Sequence, residues 1–98
     1  MLGNILKLVR ISNDMTVITV SKGIGLMSSL INDIECGNAK ISLSTLEMFS
    51  EFYNIPISRI LLLNDFQEYF KVSDSKILED IRNYRYSEYQ NKDKQKVK

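Results

Sequence analysis

The stretch 16–37, TVITVSKGIGLMSSLINDIECG, decides the fold. Its first five residues, Thr16 to Val20, are all β-branched, and local propensity alone favours a strand. No partner strand follows, and a lone strand would leave its backbone ladder unpaired. A short helix capped by the Thr16 hydroxyl is the consistent alternative. Gly23 and Gly25 suit a tight turn after it. Leu30, Ile31 and Ile34 then line one side of a second helix, which Gly37 ends as a left-handed C-cap. The reading is thus two short helices about a tight bend. The second of them contains no lysine or arginine and carries Asp33 and Glu35.

The flanking sequence is helical as well. Leu2, Ile5, Leu6, Leu8 and Val9 recur at helical spacing, and Ser12, Asn13 and Asp14 end that segment because their side chains compete for backbone hydrogen bonds. After a loop, NAKIS (38–42), Ser44 with Glu47 forms a capping-box pattern. Leu46, Phe49, Ser50 and Tyr53 continue the helix it opens. Pro56 stands where the next helix starts, at a position that needs no N–H donor, and ISRILLL (57–63) follows as a short apolar helix. Residues 64–73 read as a connector holding at most a helical turn through Phe66, Tyr69 and Phe70. A last helix is expected from Ser73 or Asp74 to about Tyr89, with Ile77, Leu78, Ile81 and Tyr84 as its apolar stripe. The expected class is all-α, with three parts: a helical domain over 1–63, a connector and C-terminal helix over 64–90 for docking or dimerisation, and a basic, disordered tail over 91–98.

Composition narrows the function. The chain has 98 residues, 44% of them apolar, and a formal net charge of +1. Residues 1–73 carry six basic and seven acidic residues, net −1, and residues 74–98 seven and five, net +2. No apolar run is long enough for a membrane span, and the N-terminus does not resemble a signal peptide. Cys36 is the only cysteine and histidine is absent. An internal disulfide is therefore impossible, and the usual general base and the commonest zinc ligand are missing. A reduced, cytoplasmic setting is expected, with no cofactor, no metal and no catalysis.

Laid end to end, the helices give a spacing in which Arg10 precedes Thr16 by six residues. Val20 and Ser21 stand four and five residues after Thr16, and Gly25 falls at the turn. Ile31, Ile34, Glu35 and Gly37 come next, then SLSTLEMFSEFYNIPISRIL (42–61). Over residues 2–62 this resembles the five-helix domain of the lambda-repressor/Cro-type, or XRE, helix-turn-helix family. The segment IECGNAKISLSTLEMFSEFYNI (34–55) also looks like the N-terminal domain of peptide-responsive regulators of low-GC Gram-positive bacteria, whose long helical-repeat domain 98 residues leave no room for.

The resemblance implies a buried ion pair between Arg10 and Glu35; the alternative is that both are solvated surface charges. It further implies that the third helix enters the major groove of double-stranded DNA, with Met27, Ser28, Ser29, Asn32 and Asp33 nearest the bases. Serine contacts several bases, asparagine suits adenine and methionine suits a thymine methyl, so the groove can be read without a cationic side chain. Phosphate attraction then falls to Lys22, to Lys40 and to the backbone N–H groups at Thr16 and Val17, with non-specific help from Lys92, Lys94, Lys96 and Lys98. Any one of these lysines read alone is ordinary solvated surface. Three positions depart from the family pattern: Val17 stands where a DNA-contacting glutamine is usual, Asp33 where a basic or amide residue is usual, and Cys36 precedes Gly37 as a plain small residue.

The implied function is a transcription regulator, a repressor, of phage, plasmid or bacterial origin. It would act in the cytoplasm on the nucleoid as a homodimer, paired through ISRILLL or through the last helix. The alternative for that last helix is to fold back on its own domain. Tyr84, Tyr86 and Tyr89 near lysines suit stacking on single-stranded nucleic acid, though tyrosines at helical spacing are more often packing residues. The alternative class is a helix-turn-helix module reused for protein binding, motivated by Val17, Asp33 and the acidic balance.

Overall fold

A computed structural model describes residues 2–84. The tail lysines, Tyr86 and Tyr89, and the expected end of the last helix lie outside the described residues. Within them the chain is all-α: α1 Leu2–Ser12, α2 Val17–Ile24, α3 Ser28–Cys36, α4 Leu43–Tyr53 and α5 Ile57–Phe70. The described part of a sixth helix, α6, covers 74–84. The β-branched run is helical from Val17 to Val20, with Thr16 as its extended cap, as tertiary context required.

One core serves all six helices. Ile5, Leu6 and Val9 of α1, Val20 of α2, Ile31 and Ile34 of α3 and Leu46, Phe49 and Tyr53 of α4 are buried together with Ile60 and Leu63 of α5 and Ile77 and Ile81 of α6. α1 runs through the middle and packs on α3, α4 and α5. Gly3 makes its approach to α3 possible: a Cβ at this position would collide with the Ile34 carbonyl oxygen. Any larger residue would force the two backbones apart.

Two element boundaries differ from the sequence reading. The cap of α4 is Ser42, whose Oγ accepts from Thr45 N–H at 3.2 Å. Ser44 lies inside the helix, so the expected pairing of Ser44 with Glu47 is replaced by a cap two residues upstream. The break expected at residue 63 is absent, since α5 runs on through the presumed connector to Phe70. Nothing between 57 and 70 punctuates a helix, and buried Ile60 and Leu63 with half-buried Gln67 keep one face on the core. α5 ends only where Lys71 turns left-handed at φ 56°.

Gln67 then helps seat α6. Asn4 Nδ2 donates to Gln67 Oε1 at 3.0 Å and to Asp74 Oδ1 at 2.9 Å, and Gln67 Nε2 donates to the same Asp74 oxygen at 2.8 Å. These two amides, Asn4 foremost, hold the Asp74 carboxyl below the usual carboxylate range. Ser73 Oγ caps α6 by accepting from Lys76 N–H. The Arg59 guanidinium lies 4.7 Å from the Tyr84 ring centroid, a cation–π contact between α5 and α6. In its described part, then, α6 folds back on its own core.

Candidate nucleic-acid interface

The α2–α3 unit is assembled from local chemistry. Thr16, in extended conformation, accepts from Thr19 N–H at 3.1 Å and so satisfies one of the free donors at the start of α2. Gly25, at φ 83°, ends α2 in the left-handed region, with its N–H on Ser21 O at 2.9 Å. That conformation suits glycine and is strained for a side-chain residue. Ser21 Oγ donates to the Leu26 carbonyl and ties the turn to the helix before it. Met27 then starts α3 with no side-chain cap. Gly37, at φ 82°, closes α3 with its N–H on the carbonyls of Asp33 and Ile34.

A clamp beneath fixes α3 against α1. Arg10 Nε donates to Glu35 Oε2 at 2.9 Å and Arg10 Nη2 to Glu35 Oε1 at 3.0 Å, a bidentate fork. Arg10 Nη1 donates to Met15 O at 2.9 Å, in the loop leading to α2. The Arg10 side chain is 14% exposed and that of Glu35 only 4%. The hydrogen bonding to Glu35 is the main reason the guanidinium is held further above its already high range. One arginine therefore joins α1, the Thr16 loop and α3, and Glu35 points inward instead of repelling an outside anion.

With Ile31, Ile34 and Glu35 buried, the rest of α3 faces out. Ser29, Asn32, Asp33 and Cys36 are exposed, as is Leu30, and Ser28 is half-buried. Met27 is 74% exposed. At 3.6 residues per turn, Ser29, Asn32, Asp33 and Cys36 share the arc opposite the buried side. The side chains of Ser28, Ser29, Asn32 and Asp33 make no hydrogen bond to another described residue. Asp33 does not turn away; it stands one turn on from Ser29 on the same arc.

The remaining sequence-predicted residues are less closely grouped. Val17 is half-buried against the core, which leaves only its backbone N–H available outward. The Thr16 hydroxyl is engaged in its cap. Lys22, in the last turn of α2, is exposed. Lys40 is exposed beyond the C-terminal end of α3, in a shallow cavity it shares with Leu2, Gly37, Ile41 and Glu68. The nine residues of α3 separate Lys40 from the first turn by roughly 12 Å.

One surface was not expected. Because α5 continues, Leu62, Phe66, Tyr69 and Phe70 form an exposed apolar strip along it, with Leu62 55% and Tyr69 82% exposed. The Phe70 ring lies 5.1 Å from Phe66 and 5.0 Å from Tyr69, centroid to centroid. The signal was present in the spacing of 62, 66, 69 and 70, which repeats at helical intervals once the connector is read as helix.

Among the described residues no group of three acidic or cysteine side chains could hold a metal ion, and no helix is long and apolar enough to cross a membrane. Comparison with protein-family models, with curated proteins and with solved structures finds no match to this chain.

Proposed function

We propose that the chain is a double-stranded DNA-binding transcription regulator of the lambda-repressor/Cro-type helix-turn-helix class, a repressor, with α3 in the major groove. The observation that carries this reading is the α2–α3 unit itself. Two short helices meet at a glycine turn, are clamped from below by Arg10 and Glu35, and hold Met27, Ser29 and Asn32 outward with their polar groups unused. A rigid frame that presents free amide and hydroxyl groups on one helix is what base reading requires. Lys22, Lys40 and the N–H groups at the start of α2 supply phosphate contacts at the margins.

A single unit spans about half an operator, and two-fold pairing places recognition helices about 34 Å apart. The α5 strip is the pairing surface, and its occupant is a second copy of this chain. It is self-complementary: antiparallel packing about a two-fold axis at Phe66 sets Leu62 against Phe70 of the second copy, and Asp65 and Glu68 border the same strip. Its exposed area is roughly 500 Å² per chain, at 150–250 Å² for a fully exposed aromatic residue. A stable interface needs about 800 Å² per partner, so pairing is weak in free protein and completed on DNA.

Fluorescence anisotropy of labelled duplexes selected from a randomised pool, repeated across salt concentrations, tests the reading. A preferred duplex is expected, with two phosphate-contacting lysines per chain giving a log–log salt slope of about −4 for the dimer. Absence of any salt-dependent binding would overturn it. A second reading, that the same face takes a protein, is favoured by Asp33 on the reading arc and the lack of a cation on α3. Retention of a partner that Asn32→Ala or Ser29→Ala releases, by a protein that never binds DNA, would select that reading instead.

A further inference from the structure

The side chains on the α3 arc differ in which bases they can accept, and this difference points to a composition for the bound DNA. Guanine offers two acceptors in the major groove, O6 and N7, and is read by a forked or multiple donor, usually arginine or lysine. α3 has neither. Lys22 belongs to α2, and Lys40 lies beyond the far end of α3. The Asp33 carboxylate offers acceptors and no donor. Facing guanine it sets acceptor against acceptor; facing adenine or cytosine it takes the N6 or N4 amino group, so it excludes guanine without choosing between those two bases. The unbonded amide of Asn32 presents one donor and one acceptor side by side, the complement of adenine N7 and N6. Met27, largely exposed and unused as a cap, is an apolar side chain at the entry of the helix, where a thymine C5-methyl is its match. Exposed Leu30 adds apolar surface in the first turn of α3.

We infer that the base pairs beneath Met27 and Asn32 are A·T pairs, recognised by a thymine methyl group at Met27 and an adenine edge at Asn32, with Asp33 excluding guanine from the contacted strand. This rests on the DNA-binding reading above. It goes further by naming which duplexes are taken and which side chain reads which group. Asp33, unfavourable toward phosphate, becomes a discriminating residue rather than a defect.

The test uses the whole chain and a duplex selected from a randomised pool, followed by the same duplex with deoxyuridine in place of thymidine one position at a time. Deoxyuridine keeps every hydrogen bond and lacks only the methyl. The selected core should be A·T, and replacing it by G·C should weaken binding by about tenfold per contacted pair. Deoxyuridine at one or two positions should weaken binding about fourfold, the effect of one methyl group. Met27→Ala protein should bind less tightly and be indifferent to that substitution. Asn32→Ala should flatten the preference for adenine at one position while leaving the methyl effect intact. A G·C core, or wild-type protein indifferent to deoxyuridine throughout, would overturn the inference while leaving DNA binding standing. Selection of no duplex at all would overturn both, a different outcome from the other two.

Discussion

Replacing Glu35 by alanine leaves the Arg10 guanidinium in a site where it is 14% exposed and has lost two of its three partners. Only the bond to the Met15 carbonyl remains. Water reaches the site poorly, so the stranded charge is the dominant cost. Breaking a buried pair from one side typically costs about 3–5 kcal/mol, and the wet edge of this site places the expected loss near the lower end, about 3 kcal/mol. Against a total stability of about 5–10 kcal/mol for a domain this small, that is a large fraction. With a urea slope of about 1 kcal/mol/M, the midpoint falls by about 3 M. Arg10→Met should cost a similar amount, because it strands the carboxylate. The double variant Arg10→Met, Glu35→Leu strands neither and should be more stable than either single variant. Urea unfolding followed by circular dichroism at 222 nm reads all three. A loss below about 1 kcal/mol for Glu35→Ala is the behaviour of an exposed pair and would refute the clamp, as would double-variant losses that simply add.

Other expected outcomes follow from single contacts. Gly3→Ala should destabilise by more than the ~1–3 kcal/mol usual for overpacking, since its Cβ meets the Ile34 backbone oxygen; Gly23→Ala, whose Cβ meets the edge of the Phe52 ring, should cost less, and thermal melts of the two variants rank them. Ile81→Ala should cost about 2–5 kcal/mol if α6 belongs to the same core, whereas exposed Arg82→Ala should stay within about 0.5 kcal/mol; equal effects in chemical unfolding would remove α6 from the core. Asp74 is held below the ordinary carboxylate range by Asn4 and Gln67, so its contribution is present above that range and is lost as pH falls through its folded value. Urea unfolding of wild type and Asp74→Asn should therefore differ most above about pH 5 and converge only as pH falls below the ordinary carboxylate range.

Elements set by one residue's own chemistry could be read from the chain. The Thr16 cap, the left-handed glycines 25 and 37 and the turn at Ser12–Asp14 need no distant partner to be recognised. The helical state of 17–20 required only the absence of a pairing strand. The Arg10–Glu35 contact was accessible through family resemblance, not through spacing, because nothing local distinguishes an inward glutamate from an outward one. The length of α5 was hidden by polar Asn64, Asp65 and Gln67, which look like a connector until Gln67 is seen bonding Asn4 and Asp74. Gly3 was silent for the same reason: its role lies in the carbonyl of Ile34, thirty-one positions away. At the candidate site the outward residues of α3 were legible from the buried stripe of Ile31, Ile34 and Glu35. The engagement of Val17 with the core and the separation of Lys40 from the first turn were not, since both depend on how neighbouring helices sit.

Titration of isotopically labelled protein with a selected duplex, followed through backbone amide shifts, tests the proposed DNA contact most directly. Perturbations should concentrate at Thr16, Val17 and Met27–Asp33, with smaller ones at Lys22 and Lys40. Shifts confined to α5 and α6, or none at saturating duplex, would contradict a reading face on α3.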